Sequence, residues 1–180
     1  MSTKVIELAN DDDAQAFIET ITKSSSKLFE SLTKFRGGGG PQLIDKLKFT
    51  EFGCDPLNAD RPLNVIEQIN QTATYLVSFC AARVLFDLHK DPLAKGLRVN
   101  LGTSAGTDIE SMELGVLGAE VFAAVRPSNN NKLNKDIDRM KKHHAKHKYV
   151  CYYSPNQSDE QFKEMQVVED VRVLFVNINR

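Results

Sequence analysis

The sequence predicts an α/β domain: a mixed central sheet with flanking helices. Three observations carry that prediction. From residue 62 onward, helical and strand-like periodicities follow in the order α-β-β-β-α-β-α-β. The first three strands stand close enough together to form an antiparallel meander. The last two are separated by helical stretches, which allow parallel pairing through crossovers.

The chain has 180 residues, of which 41% are hydrophobic and 26% charged, an ordinary balance for a soluble protein with one real core. Residues 1–60 read as an N-terminal helical segment with a glycine-rich hinge, and 61–180 as the α/β domain. No apolar run approaches the roughly 18 residues of a membrane span. The opening MSTKVIELANDDD is polar and acidic, unlike a secretory signal, so the expected location is cytoplasmic and no membrane partner is expected. Cys54, Cys80 and Cys151 are an odd, widely spaced set with no C-x-x-C pair, which reads as reduced thiols rather than a zinc site. The net charge of -1 points to no nucleic-acid partner by itself, so any such binding needs a local basic patch.

Residues 12–35 read as an amphipathic helix through Phe17, Ile21, Leu28, Leu32 and Phe35. Gly37 to Gly40 and Pro41 break the chain, because a glycine run loses too much entropy inside a helix or strand. LIDKLKFTEF then reads as a short helix or strand, and CDPLNADRP as turns. Residues 62–90 form a long, mostly buried helix with Ile66, Ile69, Ala73, Leu76, Val77, Cys80, Val84 and Leu88 on its apolar face. Asp91-Pro92 ends it. Strands follow at 97–101, 107–112 and 119–125. Ser128 or Asn129 can cap a helix running to about Ala145, with Leu133, Ile137 and Met140 as its inner stripe. Residues 149–153 form the next strand. Ser158-Asp159-Glu160-Gln161 is a capping box opening a short helix, and 171–178 is the last strand.

Two chemical patterns overlap in NLGTSAGTDIES. Gly102-Thr103-Ser104-Ala105-Gly106 fits the G-x-S-x-G serine elbow and resembles the patatin-like motif. That elbow needs a helix after it, and Thr107-Asp108-Ile109-Glu110-Ser111 reads as a strand instead. A turn between strands accounts for the glycines more simply. Strand alternation puts Asp108 and Glu110 on one face of the second strand, and Glu120, Phe122 and Ala124 on one face of the third. Glu120 is a charge in an otherwise apolar strand, and a buried carboxylate is costly unless paired or metal-bound. Paired carboxylates of this kind suit Mg2+ or Mn2+.

This arrangement over about residues 62–178 resembles the PD-(D/E)xK nucleases, with their restriction-endonuclease-like core. The resemblance implies metal-dependent hydrolysis of phosphodiester bonds. It assigns Asp108 to the second-strand aspartate, Glu120 to the acidic residue of the second motif, and Glu67 to a glutamate on the preceding helix. Phe122 stands where the family has lysine. Some members take that lysine from the following helix, which makes Lys132 the first substitute and Lys135 the second. Each residue also has a plainer use. Asp108 can cap a turn, Glu120 can pair with Arg98 or Arg126, Glu67 can face solvent beside Gln71, and Lys132 can be a surface lysine.

RMKKHHAKHK, residues 139–148, is the strongest charge cluster. Arg139, Lys141 and Lys142 in it are candidate phosphate contacts, joined by Asn130 and Lys135 at the opening of the same helix. His143 and His147 stand four apart, a spacing that allows metal binding on a helix, though a solvated helix end is the simpler reading. The expected function is therefore a Mg2+- or Mn2+-dependent nuclease acting on DNA or RNA. The alternatives are a catalytically inactive binding or assembly module of the same fold and a serine hydrolase using Ser104. Dimerisation through the N-terminal helix is compatible with the sequence.

Overall fold

The computed structural model describes residues 4–34, 36, 39–102, 106–126, 129–155 and 166–178. In chain order the elements are β1 (Val5–Leu8), α1 (Asp11–Lys34), α2 (Gly40–Lys48), β2 (Gly53–Asp55), β3 (Asn58–Leu63), α3 (Val65–Leu88), β4 (Leu97–Asn100), β5 (Ile109–Ser111), β6 (Leu117–Ala123), α4 (Lys132–Lys141), β7 (His147–Tyr153), β8 (Gln166–Val168) and β9 (Val171–Phe175). They form two compact units, one of Met1–Gln15 with Val77–Arg180 and one of Ala16–Leu76.

The first unit is built on a seven-stranded sheet in the order β1-β4-β5-β6-β7-β9-β8. The meander is present: β4 pairs antiparallel with β5, and β5 with β6. β7 then joins parallel to β6, and β9 parallel to β7, so the sheet is mixed as the sequence implies. The crossover between β6 and β7 contains α4. Ile137 and Met140 of α4 bury themselves against Phe122 of β6, Val150 and Tyr152 of β7, and Val171 and Val173 of β9. The register explains the match. Glu120 stands beside Val150 and Phe122 beside Tyr152, so alternate residues of β6 and β7 share the face that α4 covers.

The two outermost strands were not anticipated. β1 adds antiparallel to β4, and β8 folds back on β9 through a turn with Glu169 at φ 56°. With four and three residues they are too short to carry a readable alternation. The helix expected from Ser158 lies outside the described residues. α4 stops at Lys141, short of Ala145, and begins at Lys132 after a 3-10 turn over Asn129–Asn131. Asn130 and Asn131 both take left-handed backbone there, a conformation asparagine tolerates better than most residues.

In the second unit the turn-rich CDPLNADRP folds as the β2–β3 hairpin. Asp55 organises it. Its Oδ1 accepts the Leu57 N–H at 2.8 Å, and its Oδ2 accepts from Arg61 at 3.2 Å and from the Tyr75 hydroxyl at 3.5 Å. Gln68 ties the hairpin to α3, its Oε1 accepting the Cys54 N–H at 2.9 Å. A side chain at Gly53 would overlap that amide, which is why glycine stands there. α3 begins at Val65 rather than Pro62 because Asn64 and Glu67 form a reciprocal capping box. Asn64 Oδ1 accepts the Glu67 N–H at 2.8 Å, and Glu67 Oε2 accepts the Asn64 N–H at 3.4 Å. The expected apolar face of α3 is only half right. Val77 and Cys80 are buried, whereas Ile66, Ile69, Val84 and Leu88 are exposed, and Phe79, Ala81, Ala82, Leu85 and Phe86 fill the core instead. The run is apolar nearly all round, so periodicity could not select the face.

The cysteines are all free. Among the described residues, no helix is long and apolar enough to cross a membrane. Met140 is fully buried where α4 meets the parallel strands. Met140→Ala is expected to lower the unfolding free energy by about 2–5 kcal/mol, read from urea denaturation; a loss under 1 kcal/mol would show that α4 is not a load on this core.

Candidate functional site

Leu117 through Phe122 of β6 are each buried, and Glu120 is among them at 1% exposure. Its carboxylate faces α4. Arg139, two turns into that helix, donates from Nη1 to Glu120 Oε2 at 3.1 Å and from Nη2 to the Gly106 carbonyl at 2.7 Å. The partner is thus Arg139, not Arg98 or Arg126. Arg98 is spent on Glu110 and Glu7. The other Glu120 oxygen, Oε1, is buried and has no hydrogen-bond partner.

Asp108 stands just before β5. Beyond the Ile109–Ala119 pair the ladder ends, and Asp108 Oδ2 accepts the Val121 N–H at 2.7 Å in its place. Asp108 thus closes the strand pair with one carboxylate oxygen, a use beyond the turn cap or ligand that the sequence suggests. Lys132 opens α4. Its Nζ donates to Asp136 Oδ1 at 2.7 Å and lies 5.9 Å from the centre of the Phe122 ring. Asp136 is 3% exposed, and its Oδ2 is a second buried oxygen without a partner.

Three carboxylates and two cations therefore share one pocket of charge under α4. Burial first, and the neighbouring Asp108 charge after it, raise Glu120 from 4.5 to about 7 against the opposing pull of Arg139. Burial also raises Asp108, opposed by its bond from the Val121 N–H and by Lys132. Asp136, Lys132 and Arg139 all act on the charges of Asp108 and Glu120.

Asp136 is the member that sequence reasoning missed. A signal was there: position 136 falls between Leu133, Ile137 and Met140 in helical phase, so the inner stripe of α4 carries a carboxylate. Glu67 is an exposed residue of the second unit, and its carboxylate caps α3. Ser104 lies outside the described residues.

The basic segment is less free than its sequence suggests. Lys141 pairs with Glu169 at 2.9 Å and Asp138 at 3.6 Å, and Lys148 pairs with Asp170 at 2.6 Å. Two of those acids arrive on the β8–β9 turn, far along the chain. Arg139 is committed to Glu120. Asn130, Lys135 and Lys142 are exposed. His143 and His147 do not share a helix, since α4 ends before them. The His143 ring instead packs under Gly118, where a Cβ would stand 2.7 Å from its Cε1.

Among the described residues, no set of three or more His, Cys, Asp or Glu side chains is grouped so as to hold a metal ion. A divalent ion would accordingly rely on one or two carboxylates, with water or phosphate oxygens for the remainder, as Mg2+ commonly does. The donor set fits such an ion: hard oxygens, one of them buried and unpartnered on Glu120. Comparison of the chain with protein-family models, curated proteins and solved structures returned no match.

The raised pKa of Glu120 sets the sign of its effect on stability. The folded chain holds this proton more tightly than the unfolded chain, so the contribution is greatest below 4.5 and is lost as pH rises from 4.5 to about 7. In metal-free buffer, Glu120→Gln is expected to stabilise the protein by about 1–3 kcal/mol at pH 8 and by much less at pH 5, measured by urea unfolding at both values. Equal effects at the two pH values would mean that Glu120 titrates normally.

Proposed function

We propose that the first unit is a metal-dependent nuclease that hydrolyses phosphodiester bonds in DNA or RNA. One observation carries the reading most. Glu120 Oε1 is a buried carboxylate oxygen without a partner, set among Asp108, Asp136 and Lys132. Leaving such an atom dry and unpaired costs free energy, and sites that bind a ligand are where proteins tolerate that cost.

Asp108 and Glu120 would hold Mg2+ or Mn2+. When bound, the ion supplies an activated water and offsets the charge that develops on the phosphodiester. The chain's own groups do the rest. Lys132 brings an ammonium to the cluster from α4, in place of the strand lysine that Phe122 replaces. Asp136 holds that ammonium at 2.7 Å and so fixes where its charge lies. Arg139 keeps Glu120 ionisable by opposing the desolvation of its carboxylate. Lys135, Lys142 and Asn130, exposed at either end of α4, are available to phosphates. The mixed sheet with a meander followed by a helical crossover is compatible with the restriction-endonuclease-like core, as is the order of the elements.

A binding module without catalysis is the second reading. It is favoured by the Arg139–Glu120 pair, because that cation already occupies one carboxylate oxygen.

Incubation with plasmid, single-stranded DNA and RNA in Mg2+ or Mn2+, against EDTA, separates the two. Cutting is expected only with metal, and Asp108→Asn or Glu120→Gln should each reduce it by about 100-fold or more while circular dichroism stays unchanged. Lys132→Met should reduce the rate and leave metal affinity intact. Cutting that persists in EDTA, or in either carboxylate variant, removes the metal mechanism. Retention of all three substrates without cutting by the metal-loaded protein supports the binding module.

A further inference from the structure

The opposite face of the parallel strands carries a second polar cluster. His147 and Tyr149 are two apart on β7 and so project to one side, away from the Val150 and Tyr152 that pack under α4. Arg172 of β9 is the register partner of Tyr149. His89, just past the end of α3, completes the group. Its Nε2 lies 2.6 Å from the Tyr149 hydroxyl, and its ring lies 4.3 Å from that of His147, tilted by 40°. Arg172 Nη1 stands 3.4 Å from His147 Nδ1, and the guanidinium carbon 5.6 Å from the centre of the Tyr149 ring.

The chemistry of these contacts fixes protons. A guanidinium only donates, so His147 Nδ1 accepts, and the one proton of a neutral His147 sits on Nε2. Tyr149 is 2% exposed, and burial raises its hydroxyl, so it remains a neutral phenol. Arg172 is thus a half-buried cation whose contacts are the His147 imidazole, the Tyr149 hydroxyl and the Tyr149 ring face. Among the described residues no carboxylate pairs with Arg172, His89 or His147. Burial, and after it the repulsion of positive charge, holds both imidazoles below their ordinary value: His147 and Arg172 act on His89, and Arg172 and Lys146 on His147.

A half-buried cationic group without a counter-ion is the reverse of the usual arrangement, in which buried charges are paired. We propose that the His89–His147–Arg172 cluster is a binding site for a phosphate group. The guanidinium fork has N–H groups to spare for a tetrahedral oxyanion. His147 Nε2–H is a further donor, and Lys146 adds charge beside it. Both imidazoles and the guanidinium are only half-buried, which leaves the anion a route in. A transition metal suits the site less well. The two rings lie against each other at a tilt, and each has one nitrogen already engaged, on Tyr149 or Arg172.

Anion binding is coupled to protonation. His89 closes the last turn of α3, its N–H donating to the Leu85 carbonyl at 3.0 Å, where the helix end favours positive charge. A bound phosphate removes the repulsion that keeps the imidazoles neutral, so binding takes up protons and strengthens as pH falls. The site does not depend on the nuclease reading, since it shares no residue with the carboxylate cluster.

Isothermal titration of the full chain with inorganic phosphate at pH 6.0 and 7.5, in two buffers of different ionisation heat and at constant ionic strength, tests this. Saturable binding, tighter at pH 6.0 and accompanied by proton uptake, is the expected result. Arg172→Gln should weaken it at least tenfold, and Lys95→Gln, a surface charge change elsewhere, should not. His147→Gln gives the same test through a second side chain if Arg172→Gln fails to fold. A parallel titration with a mononucleotide separates the sources of the phosphate: much tighter binding assigns a nucleotide, equal binding the free anion. No saturable binding at either pH, or binding that Arg172→Gln and His147→Gln leave within twofold, would overturn the proposal, as would an equal loss in Lys95→Gln.

Discussion

The parallel pairing of β6 with β7 is the constraint on which the rest depends. Seven residue pairs run in register from Leu117–His147 to Ala123–Tyr153. That register sorts two kinds of chemistry onto two faces. Glu120 and Phe122 go with Val150 and Tyr152 to the side of α4. His147 and Tyr149 go to the other side. A slip of one residue in either strand would exchange the faces. Val150 and Tyr152 would leave the α4 core, and Cys151 with Tyr149 or Tyr153 would take their place. The apolar cluster around Met140 thus holds the register, and the register in turn positions both polar groups.

The carboxylate cluster is not a stabilising feature in its own right. Three carboxylates against two cations leave excess negative charge in a poorly hydrated place, and buried ion pairs seldom outweigh the desolvation they require. Arg139 reduces the penalty because its side chain is 56% exposed and keeps part of its hydration while reaching Glu120. Asp136, like Glu120, has only one of its oxygens bonded. An apolar residue at 120 would pack without any of this. The presence of the group makes sense when its oxygens meet something other than protein, which is the physical ground for reading it as a site.

What the sequence reveals and what it hides divide along one line. Patterns within an element were legible. The meander, the parallel strands and the α4 stripe follow from local periodicity, and Glu120 stood out as a charge inside LGAEVFA. Relations between elements were not. Arg139 read as a phosphate contact because nothing local joins it to Glu120, nineteen positions earlier. Lys141 and Lys148 read as free cations because Glu169 and Asp170 reach them only when β8 and β9 have folded back. Glu67 read as a site residue because a capping box and a catalytic glutamate look alike until the helix start is known; the start was placed at Pro62, and Asn64 sets it at Val65. β1 and β8 escaped for the same reason. Each is held by the ladder of its neighbour, not by a pattern of its own.

Phe122 is the residue that most separates this chain from the nuclease pattern it resembles, and its surroundings give that departure a physical logic. Position 122 points into the α4 core, where its ring stacks on Tyr152 at 5.6 Å and 15°. A lysine there would have to carry its ammonium past Ile137 and Met140, which are apolar and buried. Phenylalanine instead packs with them and offers a face to a cation. The Lys132 ammonium lies 5.9 Å from that face and is anchored by Asp136. Attraction of this kind contributes roughly 0.5–1 kcal/mol at a partly exposed site. It is modest beside the charged hydrogen bond to Asp136, so the carboxylate sets the position and the ring supports it. The proposed nuclease calls for an ammonium near its carboxylates, and a helix can supply one as readily as a strand. Phe122 and Asp136 therefore act together, the first packing the α4 core and offering a ring face, the second holding the Lys132 ammonium.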